Sequence, residues 1–138
     1  MLAAAAEAAA GSATRLLAVT VLTSMDAGQL AATGIPGAPE EQVERLAAMA
    51  AGAGIKGFVC SPLEAARLRT ALPSAHLVTP GVRPSGAKQG DQQRVSTPGE
   101  AIHAGASQLV IGRPITQAAD PAAAYAGILQ QIAAALQA

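Results

Sequence analysis

Four short apolar runs, at residues 16–22, 57–60, 76–78 and 108–111, alternate with segments that carry helix-start signals. This alternation constrains the fold more than anything else in the chain. Residues 16–22 form a nearly continuous apolar run with β-branched members, the pattern of a strand buried on both faces. Residues 57–60, 76–78 and 108–111 read as further strands. Between them, residues 40–51 place Val43, Leu46, Ala47 and Ala50 at helical spacing, with Glu41, Glu44 and Arg45 opposite and Pro39 at the first turn. Ser61-Pro62 with Glu64, and Thr97-Pro98 with Glu100, each set an N-cap, a first-turn proline and a capping-box glutamate. The helix after Ser61 runs to about Leu72, and Asp120 caps a last helix that runs to about Leu136. Residues 3–10 are helical by alanine propensity until Gly11-Ser12 ends them, and residues 26–32 allow one or two turns. A Gly/Pro/Gln-rich loop covers residues 80–96. Four strands alternating with helices predict an α/β fold, a parallel sheet with helices outside.

The 138 residues show no linker or composition break and suit one domain with its own core. The chain is 51% apolar, but with one Phe and one Tyr that core rests on Leu, Ile, Val and Ala. Nine basic and nine acidic side chains cancel, and no basic run exists, so a nucleic-acid partner has no electrostatic footprint. The single Cys60 excludes an internal disulfide and fits a reducing compartment. Residues 1–10 lack the basic start of a secretory signal, and no uncharged apolar stretch is long enough to span a membrane. The expectation is a cytoplasmic protein with no membrane partner.

Two arginines suit phosphate. Arg83, in Thr79-Pro80-Gly81-Val82-Arg83-Pro84, and Arg113, in Ile111-Gly112-Arg113-Pro114, each follow an apolar run and lie near glycine. A guanidinium offers a rigid fork of donors to phosphate oxygens, and glycine lets backbone N–H groups approach an anion. In β/α barrels the loops after the last two strands often bind phosphate. If the third and fourth strands are the seventh and eighth of a barrel, the first four are absent from these residues. The plainer alternative, surface arginines paired with carboxylates, is the usual case for a lone Arg.

These residues resemble a known family. Leu22-Thr23-Ser24-Met25, Val59-Cys60-Ser61, the stretch around Arg83, Gly90-Asp91-Gln92, Arg94, Thr97-Pro98 and Val110-Ile111-Gly112-Arg113-Pro114-Ile115-Thr116 are similar in order and spacing to the C-terminal half of bacterial orotidine 5′-phosphate decarboxylase. The resemblance covers residues 16–138. It implies that residues 1–138 are a partial barrel domain, the four βα units of strands 5–8 of a TIM (β/α)8 barrel, with the N-terminal half absent. It implies conversion of orotidine 5′-phosphate to uridine 5′-phosphate and CO2, a step of pyrimidine biosynthesis, with no cofactor and no metal. By that likeness Arg83, Gln92, Arg113 and the backbone N–H groups of Gly112 and Arg113 hold the 5′-phosphate. Thr23 reads the pyrimidine edge, Pro80 lines the base pocket, and residues 82–93 form a closing flap.

One departure matters for chemistry. The family's catalytic centre is an Asp-x-Lys-x-x-Asp motif plus an upstream lysine, where a lysine protonates the carbanion left by CO2 loss. This chain has Lys56 and Lys88, and Asp26, Asp91 and Asp120, none in that motif. No catalytic residue is therefore assigned, and the chain is expected to be inactive alone. The alternative is a non-catalytic phosphate-binding half-barrel or assembly fragment, and a related sugar-phosphate decarboxylase is a third possibility. The Thr23 loop and the Arg83–Gln92 spacing favour the orotidine branch. A sheet with open edges invites association, so a homo-oligomer or pairing with an N-terminal half is expected.

The remaining polar residues read as structural. His76 starts a strand, His103 complements a helix C-terminus, Asp91 is a turn residue and Cys60 is a small buried side chain without a histidine partner. Thr23 and Gln92 have plain readings too, as a strand-end hydroxyl and a loop amide.

Overall fold

The computed structural model of the chain describes residues 1–84 and 94–137. Helix α1 (Leu2–Ala9) is followed by β1 (Leu17–Val19), α2 (Ala27–Ala32), α3 (Pro39–Gly52), β2 (Gly57–Val59), α4 (Pro62–Ala71), β3 (His76–Thr79), α5 (Pro98–His103), β4 (Gln108–Leu109), α6 (Arg113–Thr116) and α7 (Pro121–Ala135). The strands form one parallel sheet in the order β1-β2-β3-β4. Among the described residues, no helix is long and apolar enough to cross a membrane.

The helix starts follow their sequence signals. Ser61 and Thr97 both complete capping boxes, with Glu64 and Glu100 returning to the cap amide, and the Asp120 carboxylate accepts from the Ala123 amide at 3.0 Å. Asp26 forms a third box with Gln29, in the segment where the sequence predicts only one or two helical turns. Helix α6 is also an addition: residues 113–116 turn once around Pro114, three residues beyond β4.

Register decides which side chains share a face. Ala18, Phe58 and Leu77 align across β1, β2 and β3. Phe58 and Leu77 are fully buried in one cluster with Val43 and Ala47 of α3 and Ala65 and Leu68 of α4. Burying a side chain such as Phe58 or Leu77 contributes about 1.5–3 kcal/mol. The opposite face is not covered in the same way. Leu17 is 44% exposed and Val19 57%, which corrects the expectation of a first strand buried on both faces. That strand is also shorter than residues 16–22, because pairing with β2 spans only Leu17–Val19. Beyond it, the chain stays attached through Thr20, whose amide and hydroxyl both donate to the Val59 carbonyl, at 3.2 and 2.7 Å. The fourth strand likewise stops at Leu109 rather than residue 111.

Gly57 shows how tightly β1 and β2 approach. A Cβ there would lie 2.6 Å from the Leu16 carbonyl oxygen and 2.6 Å from Leu17 Cδ2. Glycine in a strand commonly marks such a close approach.

Candidate functional site

The candidate residues lie where the strands end. Beyond β1 the chain runs through Thr20, Val21 and Leu22 to Thr23, which is 7% exposed, and a turn closes with the Met25 amide donating to the Leu22 carbonyl at 2.9 Å. β3 ends at Thr79 and passes through Pro80 to Gly81, whose φ of 79° is the left-handed conformation that glycine adopts without a Cβ clash. The turn directs Val82 into the interior at 0% exposure and carries the chain into Arg83. The Arg83 amide donates to the Ser96 carbonyl at 2.9 Å, so the two ends of the loop after β3 are tied together. β4 is extended by the Val110 amide donating to the Thr79 carbonyl at 2.9 Å, and it leads through Gly112 to Arg113 at the start of α6.

This arrangement produces two adjoining cavities. One, about 220 Å³, is lined by Thr23, Ser24, Val59, Cys60 and Pro80, together with the β1 exit. The other, about 240 Å³, is lined by Pro80, Gly81, Arg83, Val110, Gly112 and Arg113. Pro80 belongs to both. The structure thus brings together five of the six residues named from sequence: Thr23 and Pro80 in the first cavity, and Pro80, Arg83, Gly112 and Arg113 in the second. The sixth, Gln92, lies outside the described residues, as does most of the expected flap. Among the described residues, a Cβ at Gly112 would meet nothing within 4 Å beyond its own chain neighbours. A larger cavity of about 620 Å³ lies among Thr14, Lys56, Ser74, His76 and Ser107, at the opposite, N-terminal ends of the strands. In β/α folds ligands bind at the C-terminal ends, so size does not make it the candidate site.

The first cavity has a chemically quiet wall. Cys60 is fully buried, and its thiol is pushed up from the ordinary 9.0 to about 12, by burial first and by the nearby Glu64 carboxylate second. A thiol held protonated is neither a nucleophile nor a metal ligand at neutral pH. His76 sits half-buried at the start of β3 with Nε2 3.3 Å from Gln108 Oε1, at the far end of the strand from this cavity. His103 ends α5, as expected of a dipole-complementing residue.

Sequence reasoning missed a buried ion pair behind the site. Glu64 (side chain 0% exposed) pairs with Arg94 (7%). Glu64 Oε2 also accepts from the Ser61 amide at 2.9 Å, and Arg94 Nη2 donates to the carbonyls of Leu22 at 2.9 Å and Val21 at 3.2 Å. Glu64 was legible as a capping residue, but nothing local in sequence marks a partner beyond the loop.

A model of the orotidine 5′-phosphate decarboxylase / HUMPS family matches residues 1–128. The orotidine 5′-phosphate decarboxylase of Pseudomonas fluorescens is 58% identical over 118 residues, which are 86% of this chain and 51% of that protein. That of an Anaeromyxobacter species is 58% identical over 120 residues, 86% of this chain and 53% of that protein. The crystal structure of orotidine 5′-phosphate decarboxylase from Lactobacillus acidophilus superposes with a TM-score of 0.76 at 38% identity, covering 96% of this chain and 58% of that one. The chain spans about half the length of the curated relatives it matches, and its four-stranded sheet corresponds to part of a TIM barrel.

Proposed function

The chain belongs to the orotidine 5′-phosphate decarboxylase / HUMPS family, and from that membership we propose that it carries the phosphate-gripping part of a nucleotide decarboxylase acting in cytoplasmic pyrimidine biosynthesis. Its substrate-binding residues are Thr23, Pro80, Arg83, Gln92, Gly112 and Arg113. The observation that carries this reading is the cavity shared by Pro80, Arg83, Gly112 and Arg113, at the ends of two adjacent parallel strands.

Each residue has a physical task. Arg83 and Arg113 supply charge-assisted donors to the three phosphate oxygens. Gly112 leaves room for the anion to reach the backbone N–H groups. Gln92 adds a neutral donor from the flap. Thr23, across Pro80, presents a hydroxyl to the pyrimidine edge, and the ring lies against Pro80 in the adjoining cavity. Gripping the phosphate, away from the reacting carbon, provides binding energy that serves orientation and distortion at the centre where CO2 departs.

The proton for the resulting carbanion comes from elsewhere. These 138 residues contain no Asp-x-Lys-x-x-Asp motif, so the chain binds nucleotide and does not turn it over by itself. The open apolar face around Leu17 and Val19 favours association, with a second copy or with an N-terminal half that brings the lysine and its carboxylates. The test is a decarboxylation assay with orotidine 5′-phosphate, run on the chain alone and after adding the N-terminal half of a relative. Activity only in the mixture is expected. Turnover by the chain alone overturns the assignment of the acid to residues it lacks.

A further inference from the structure

The loop after β3 carries Arg83 at its start and Arg94 at its end, and the two ends are clasped by the Arg83 amide on the Ser96 carbonyl. Arg94 does not point to solvent. Its guanidinium reaches Glu64, at the N-terminus of α4, and the carbonyls of Val21 and Leu22, immediately before Thr23. Glu64 is itself fixed through its second oxygen by the Ser61 amide. Three segments distant in sequence, the β1 exit, the α4 cap and the loop end, therefore meet at one buried cation.

The energetics give this junction a purpose beyond packing. Replacing a buried ion pair by apolar side chains of similar volume is often neutral or stabilising, whereas removing one partner leaves a buried charge uncompensated. Stability alone is thus a weak reason to bury Arg94. What a planar guanidinium does better than any apolar group is fix the relative position of several acceptors at once. The carbonyl acceptors belong to the wall that carries Thr23, the carboxylate acceptor belongs to the cap of α4, and the donor belongs to the far end of the loop that Arg83 begins.

We propose that Arg94 is a positioning residue that locks the loop after β3 to the exit of β1, so that the Thr23 wall and the Arg83 wall of the nucleotide site hold a fixed separation. The assignment of those walls to base and phosphate rests on the proposed function; the lock itself does not.

The experiment uses amide hydrogen exchange of the full chain together with titration by uridine 5′-phosphate, for the unaltered protein and for Arg94→Met, Arg94→Lys and Glu64→Gln. Glu64→Gln keeps an oxygen for the Ser61 amide and removes only the charge. The expected result is exchange at least about tenfold faster at the Arg83 and Met25 amides, which flank the two walls, with the Phe58 and Leu77 amides unchanged. Uridine 5′-phosphate affinity falls in parallel, and Arg94→Lys recovers only part of it because it restores charge without the fork. If Arg94→Met unfolds the chain, Glu64→Gln and Arg94→Lys decide by the same criterion. Unchanged exchange at Arg83 and Met25, or a uniform increase across the whole sheet, overturns the lock. If the unaltered chain does not bind uridine 5′-phosphate, the site reading fails, and the lock stands or falls on the exchange pattern alone.

Discussion

Arg83 and Arg113 line one cavity, although they enter it from different strands. Adjacent parallel pairing of β3 with β4 makes this possible, since Thr79 and Leu109 lie side by side and the chain leaves both strands at the same end. Parallel register brings two arginines distant in sequence to the lining of one cavity.

Removing either donor is expected to weaken phosphate binding selectively. Hydrogen bonds to charged groups contribute about 1.5–3 kcal/mol, so Arg83→Ala or Arg113→Ala lowers uridine 5′-phosphate affinity by about 10- to 150-fold. Uridine, which lacks the phosphate, binds equally to the unaltered and altered proteins. Calorimetric titration of both ligands checks the difference.

Gly57→Ala tests the close approach of β1 and β2. The added Cβ meets backbone at Leu16 as well as the Leu17 side chain, and backbone does not yield cheaply. Overpacking of this kind costs about 1–3 kcal/mol. The urea midpoint should fall by a corresponding amount with an unchanged m-value.

Cys60 makes a pH prediction with a definite sign. Its folded pKa lies above its unfolded value, so the folded protein keeps a proton that the unfolded chain releases above pH 9.0. Stability from this group is complete below that pH and is lost as pH rises toward about 12. Urea melts of the unaltered protein should weaken more steeply across that window than those of Cys60→Ala. Identical slopes would remove the claim that burial raises this thiol.

The exposed sheet face makes a prediction about association. Val19, on β1, is 57% exposed and Val110, just past the end of β4, is 47% exposed, at opposite edges of the sheet. Val19→Glu is expected to lower the weight-average mass in light scattering over a concentration series. A monomeric mass for the unaltered chain at every concentration would contradict the expectation of pairing.

Much of this was readable along the chain because the signals are local. Ser61 with Glu64 and Thr97 with Glu100 announce helix starts within four residues, and the apolar runs announce strands within a few more. The arginines near glycine also reported their setting, since each lies a few residues beyond the end of a strand, Arg83 after β3 and Arg113 after β4. What stayed hidden depends on distance. The Arg94–Glu64 pair joins a loop to a helix cap, and capping chemistry alone already explained Glu64. The exposure of Leu17 and Val19 was invisible because an apolar, β-branched run reads the same whether or not another layer covers it. Helix α6 was missed because residues 113–116 read as part of the loop after the fourth strand, yet proline suits the first turn of a helix. Gln92, placed on the phosphate by resemblance alone, lies in residues that the structure does not describe.

Arg83 and Arg113 are proposed to grip a phosphate. The most direct measurement is an NMR titration of the purified chain with uridine 5′-phosphate, read at the amides of Thr23, Arg83, Gly112 and Arg113. Saturable shifts at these positions, abolished at the phosphate side by Arg113→Ala, are the predicted result. No shift at millimolar ligand, or shifts that persist unchanged in Arg113→Ala, would contradict it.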